Sequence, residues 1–201
     1  MLQAIERMNH AAFLALDAPD GTPSWLVDSA AAIADLVIYI IPVLLLALWL
    51  RGNQMTRNAA LKALLVSALA LAVNQAIIRI WPMPRPSEIG LGHTWIAHAS
   101  DPSFPSDHAT VFAAVGLTLL LSGLRRTGFL VLAGGVMVAW ARVFLGVHFP
   151  LDMIGAGGTA LLAYVIAAPC WRLLGAWMTH MCELVYHTLL ARPIARGWLR
   201  P

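Results

Sequence analysis

The sequence predicts an all-α membrane protein: a helical bundle of about five transmembrane spans behind an amphipathic N-terminal helix. Three observations carry that expectation. Of the 201 residues, 60% are hydrophobic and 11% charged, with a mean hydropathy of +0.75, whereas a soluble domain carries about a quarter charged residues. So few charges cannot cover a water-facing surface, and much of the exterior must face lipid. Five segments hold the ~17–20 mostly apolar residues that a hydrocarbon core of ~30 Å requires. Arg and Lys gather in the turns that five spans place on one side.

Taken in order, residues 1–28 form the N-terminal interfacial helix and loop. Met1 to Leu16 is not a secretory signal, because Glu6 and Arg7 interrupt its apolar stretch and no compact apolar run precedes a small-residue cleavage site. Leu2, Ile5, Met8 or Asn9, Phe13 and Leu16 recur at helical spacing, which suits a short helix lying in the interface. The spans cover approximately residues 30–50, 59–80, 108–124, 127–147 and 151–174. They make a core of 30–174 within a single domain of 1–201, and leave 175–201 as a cytoplasmic tail. Between the second and third spans lies a long, proline-rich polar connection, 81–107, of the kind that usually carries function.

Orientation follows from charge. Arg51, Arg57 and Lys62 flank the first turn between spans, Arg125 and Arg126 the second, and Arg172, Arg192, Arg196 and Arg200 the end of the last. All of these fall on one side, expected to be cytoplasmic. Arg7, Arg79, Arg85 and Arg142 share the outer side with almost every acidic residue. The expected setting is a bacterial inner membrane, with the long loop facing the periplasm or exterior. Scattered cations exclude a nucleic-acid face. Cys170 and Cys182 lack metal or redox spacing and read as free thiols.

Three clusters of reactive side chains stand at the outer ends of spans: Arg79 with Arg85-Pro86, then Pro105-Ser106-Asp107-His108, then Arg142 with His148 and Asp152. Together they resemble the signature of the type 2 phosphatidic acid phosphatase superfamily: Lys, six residues, Arg-Pro; Pro-Ser-x-His; and Ser-Arg, five residues, His, three residues, Asp. The third cluster has the family spacing throughout. Arg79 stands for the family Lys with five residues before Arg85-Pro86, and Ala141 for the family Ser. The variants Pro-Ser-Asp-His and Ala-Arg, with the run from Leu145 to Asp152, look like the bacterial undecaprenyl diphosphate phosphatases associated with bacitracin resistance.

The chemistry fits that resemblance. Phosphoryl transfer spreads negative charge over the equatorial oxygens, so catalysis is chiefly positioning and electrostatic stabilisation. Arg79, Arg85 and Arg142 offer planar forks for phosphate oxygens. Ser106, capping the third span, and Asp107 after it complete the expected phosphate site, at a helix N-terminus that favours anions. His148, held by Asp152 four residues on, is the expected nucleophile, and His108 the general acid. No cofactor is called for and no metal cluster is evident. The substrate class is a lipid phosphate, with undecaprenyl diphosphate preferred. Phosphatidylglycerophosphate, phosphatidic acid or lipid A remain alternatives, as does a non-enzymatic transporter or scaffold. The sequence leaves the oligomeric state open.

The other candidates read blandly. His10, His93, His98, His180 and His187 are expected to be interface or loop residues, and Glu88 a solvated acid. Asn74 and Gln75 are expected to bond a neighbouring helix, and the tryptophans to form interfacial belts. Asp35, inside the first span, stays unassigned.

Overall fold

The computed structural model describes residues 1–97 and 101–200. His98 and the side chain of Leu2 lie outside the described part. Every regular element within it is helical. α1 (Leu2–Leu16) is followed by α2 (Ser24–Leu36), which passes through a 3-10 turn, Val37–Tyr39, into α3 (Ile40–Arg51); α4 is Gln54–Ile80. A second 3-10 turn, Pro86–Ile89, lies in the long loop, and α5 (Asp107–Leu121), α6 (Arg125–Phe144), α7 (Pro150–Leu189) and α8 (Ala191–Ala195) complete the chain.

Among the described residues, four helices are long and apolar enough to cross a membrane: Ser24–Arg51, α4, α6 and α7. The remaining expected span, the third in order, is α5, which has 15 residues, about 22 Å at 1.5 Å per residue, and is short of a hydrocarbon core. It is instead the hub of the bundle, packed by α4, α6 and α7. Ala109, Thr110, Phe112, Ala114, Val115, Gly116, Thr118 and Leu119 are all buried along it. A helix sheathed by protein has no lipid thickness to match. Its crossing with α6 is close because Gly128 stands there. A Cβ at that position would lie 2.4 Å from the backbone nitrogen of Leu120, so the two backbones approach as small residues allow in membrane helix pairs.

Two boundaries move. The first membrane helix begins at Ser24 directly after Pro23, so the expected boundary at 28 falls inside α2. The expected tail from 175 is the continuation of α7, which runs without a break through Pro169 to Leu189. Only the turn at its end frees the chain. Proline is tolerated within membrane helices where neighbours and local adjustment satisfy the freed carbonyl. The 40 residues of α7 span about 60 Å, so its last turns stand beyond the hydrocarbon. They are anchored there: Arg57 donates to the Trp49 carbonyl at 3.0 Å and the Arg200 carbonyl at 2.8 Å, pairs with Glu183 at 3.6 Å, and lies over the Tyr186 ring.

At the opposite end α1 docks across the bundle. Phe13 is fully buried and packs edge-on against Phe149, the Asn9 side chain accepts from the Leu151 N–H at 3.0 Å, and the Ala18 N–H donates to the Phe144 carbonyl at 2.9 Å. Ile5, Met8, Leu14 and Leu16 stay exposed on its outer face, as an interfacial helix requires. The Asn74 amide, completely buried, donates to Asp107 at 2.8 Å and Thr110 at 3.0 Å on α5. The helix-to-helix role expected for Asn74 is the one it plays.

Candidate active site

The C-terminal ends of α4 and α6 and the N-terminal ends of α5 and α7 meet around a cavity of about 120 Å³, lined by Ile78, Arg85, Asp107, His108, Arg142 and His148 with parts of the proline-rich loop. A drug-sized ligand site runs to several hundred cubic ångströms. This one has room for a phosphoryl head group and not for a lipid tail.

α6 ends at Phe144, and the chain turns at Gly146, whose φ of +76° lies in the left-handed region. A Cβ there would come within 1.7 Å of the His93 carbonyl, so only glycine fits. The turn delivers His148 just ahead of α7, which opens with Pro150 in its first turn and Asp152 as its N-terminal acid, both favoured there. One oxygen of Asp152 accepts from the Phe149 N–H at 2.8 Å and faces His148 Nδ1 at 3.1 Å. It also accepts from the hydroxyl of Ser103 in a very short bond. A carboxylate so placed selects the tautomer with the proton on Nδ1, which leaves the Nε2 lone pair for the cavity. Burial away from water pushes His148 down to about 4, opposed by the hydrogen bond to Asp152 and assisted by the nearby charges of Arg142 and Arg85. The imidazole is neutral at ordinary pH.

Arg85 is held on three sides. Its guanidinium donates to the Asp101 carbonyl and carboxylate, both at 2.9 Å, and to the Val147 carbonyl at 2.8 Å. The same Nη1 lies 3.4 Å from His148 Nε2. The backbone N–H of Arg85 donates to Glu88 at 2.9 Å, so Glu88 serves as the cap of the 3-10 turn and not as a merely solvated acid. Arg142 is almost fully buried, 2% exposed, and meets the Ala34 carbonyl at 3.2 Å and Asp35 at 3.6 Å. That contact gives Asp35 the partner that the sequence left unnamed.

The second cluster reaches the third through the backbone, since the Ser106 N–H donates to the Asp152 carbonyl at 3.4 Å. Ser106 occupies the N-cap position of α5, yet its hydroxyl makes no capping bond. Among the described residues that buried hydroxyl has no hydrogen-bond partner, an expensive arrangement unless a further group completes it. The structure thus brings together Arg85, Arg142, Asp107, His108 and His148, with Ser106 and Asp152 directly behind. It does not bring Arg79 to the cavity. Arg79 is exposed on α4, and Ile78 lines the wall in its place. Counted back from Arg85 by the family's six residues, the position reached is Ile78. One residue is 100° of helix, which turns Arg79 away. Ser103 is the residue the sequence reading missed. It sits beside Pro102 in the same loop as Ser106, but nothing local separates it from a turn serine.

The match to the PAP2 superfamily covers residues 59–179, more than half of the chain. The chain belongs to the PAP2 superfamily. Its relatives include YbjG of Escherichia coli (strain K12), which carries a provisional undecaprenyl-diphosphatase name, at 34% identity over 98% of this chain and 99% of that protein. The undecaprenyl-diphosphatase BcrC of Bacillus subtilis (strain 168) is 32% identical over 77% of this chain and 80% of its own. Among solved structures, Aquifex aeolicus LpxE superposes with a TM-score of 0.64 over 78% of this chain and 92% of that one, at 17% identity, a likeness of fold. As a PAP2 protein with several apolar helices, the chain is a multi-pass membrane phosphatase acting on lipid phosphates or diphosphates.

Proposed function

We propose that the protein dephosphorylates undecaprenyl diphosphate to undecaprenyl phosphate at the outer face of a bacterial inner membrane, through a phosphohistidine on His148. The observation that carries this reading is the neutral, Asp152-oriented imidazole of His148 with Nε2 beside Arg85 in a cavity of phosphoryl size. The names of YbjG and BcrC support the substrate, and the bias of Arg and Lys supports the orientation.

In this mechanism Arg85 and Arg142 hold the terminal phosphoryl oxygens, with the Ser106 hydroxyl and the free N–H groups opening α5. Asp107 contributes its backbone N–H, because its carboxylate is engaged by Asn74. His148 Nε2 forms a bond to phosphorus while the bond to the bridging oxygen breaks, and His108 gives that oxygen its proton, so that undecaprenyl phosphate departs. Water then attacks the phosphohistidine, His108 takes its proton, and inorganic phosphate and neutral His148 are restored. Arg79 takes no part.

The test is rapid quench of the purified protein with labelled undecaprenyl diphosphate, followed by alkaline digestion, in which phosphohistidine survives. Label on His148 is expected. Label on Ser106 or Asp107, or turnover with His148→Ala, would overturn the mechanism. Faster release from phosphatidylglycerophosphate, phosphatidic acid or lipid A would overturn the substrate alone.

A further inference from the structure

A second polar cavity, of about 490 Å³, lies at the other end of the bundle between the start of α4, the end of α5 and the C-terminal half of α7. Gln54, Asn58, Lys62, Ser122, Trp171 and Thr179 supply its polar groups. Nothing in the phosphatase reaction uses them.

Depth decides what this cavity meets. Along α4, Lys62 is 18 residues and Gln54 26 residues from Ile80 at the catalytic end, about 27 Å and 39 Å at 1.5 Å per residue. Along α7, Trp171 and Thr179 lie about 32 Å and 44 Å from Pro150. With a hydrocarbon core of ~30 Å and ~40–45 Å including head groups, the cavity sits at the head-group layer of the opposite leaflet.

Its charge is not balanced from within. Lys62, the chain's one lysine, is half-buried, donates to the Tyr164 hydroxyl at 3.1 Å and lies 4.3 Å from the centre of that ring. An ammonium has three donors and Tyr164 takes one. Among the described residues no carboxylate pairs with it, whereas Arg57, the other cation at the start of α4, is matched by Glu183. Asn58 is fully committed, to Thr179 at 3.0 Å and the Trp171 indole at 3.0 Å, and so fixes the wall. An ionisable group placed within a membrane helix is costly to keep without a counter-charge, and basic recesses between such helices at the head-group level suit acidic lipid heads.

We propose that this cavity is a binding site for the phosphodiester head group of an anionic phospholipid, with Lys62 as its charge partner. Gln54 and Ser122 are the neighbouring donors. The site lies a full membrane thickness from the catalytic cavity and takes a lipid that is not the substrate.

Native mass spectrometry of the delipidated full chain in detergent, titrated with phosphatidylglycerol or phosphatidylcholine, tests this. The wild type is expected to retain one phosphatidylglycerol at concentrations at least about tenfold below those needed for phosphatidylcholine, the scale of a charge-assisted hydrogen bond. Lys62→Gln should abolish the preference and Lys62→Arg keep it. Ser122→Trp, which fills the cavity from the α5–α6 turn without touching the lysine, should weaken the same binding. All three variants should retain wild-type turnover in phosphatidylcholine. If Lys62→Gln does not fold, Ser122→Trp decides. An unchanged preference in the folded variants would overturn the proposal. So would displacement of the lipid by equimolar inorganic phosphate, which would make this a free-phosphate site.

Discussion

Ser103 donates its hydroxyl to the very oxygen of Asp152 that faces His148 Nδ1. Two elements far apart in sequence, the proline-rich loop and the start of α7, therefore meet on one carboxylate. With the Phe149 N–H, that oxygen has two protein donors besides the imidazole, which fix it in place and temper its negative charge.

Ser103→Ala is expected to lower kcat about tenfold or more, the scale of one hydrogen bond to a charged group, with little effect on KM. Asp152 would also become a stronger partner for the imidazolium, so the acid limb of the rate profile should move to higher pH. A drop in rate with an unmoved limb would mean that Ser103 merely shapes the loop.

The pH dependence has a definite sign. Burial holds His148 at about 4, below its ordinary 6.5, so the nucleophile is neutral and competent above about pH 4 and is lost by protonation below it. The acid limb of kcat/KM due to this group should fall near 4. An acid limb well above 4 in the wild type would overturn this account of the nucleophile.

The two arginines of the first sequence cluster, Arg79 and Arg85, separate cleanly. Arg85→Ala removes a donor preorganised beside Nε2 and should cost about 10²–10³ in turnover. Arg79→Ala should leave turnover within about twofold, because Arg79 is exposed and away from the cavity. Comparable losses in the two variants, measured with the same lipid, would place Arg79 back in the cage.

His108 and His148 are distinguished by leaving group. An aryl phosphate departs without a proton, so it should restore turnover to His108→Ala far more than to His148→Ala. Equal rescue would remove the general-acid role.

A tether at the catalytic end of the bundle is also pH-sensitive. His93 lies between Asp17 at 3.2 Å and Asp20 at 3.3 Å, and the hydrogen bond to Asp17 is the main cause raising its pKa above 6.5. A raised pKa means that the ion pairs support folding when His93 is protonated, and that this support fades as pH rises through the elevated value. Hydrogen exchange in α1 should therefore quicken on the alkaline side, and His93→Ala should remove that dependence.

Composition and the spacing of apolar runs were enough to determine an all-helical membrane protein, because lipid permits few other backbones to cross it. The interval from Arg142 to His148 to Asp152 likewise predicted the histidine and its carboxylate, since residues that begin one helix are positioned by local geometry. Tertiary structure alone decided the rest. That α5 is a sheathed hub and not a lipid-facing span depends on which helices surround it. Likewise, the exclusion of Arg79 in favour of Ile78, at which the count back from Arg85 already points, is fixed by the rotation of α4 against its neighbours. Ser103, Asp101 and Asp35 find Asp152, Arg85 and Arg142 across long sequence separations, and such pairings exist only once the helices have packed.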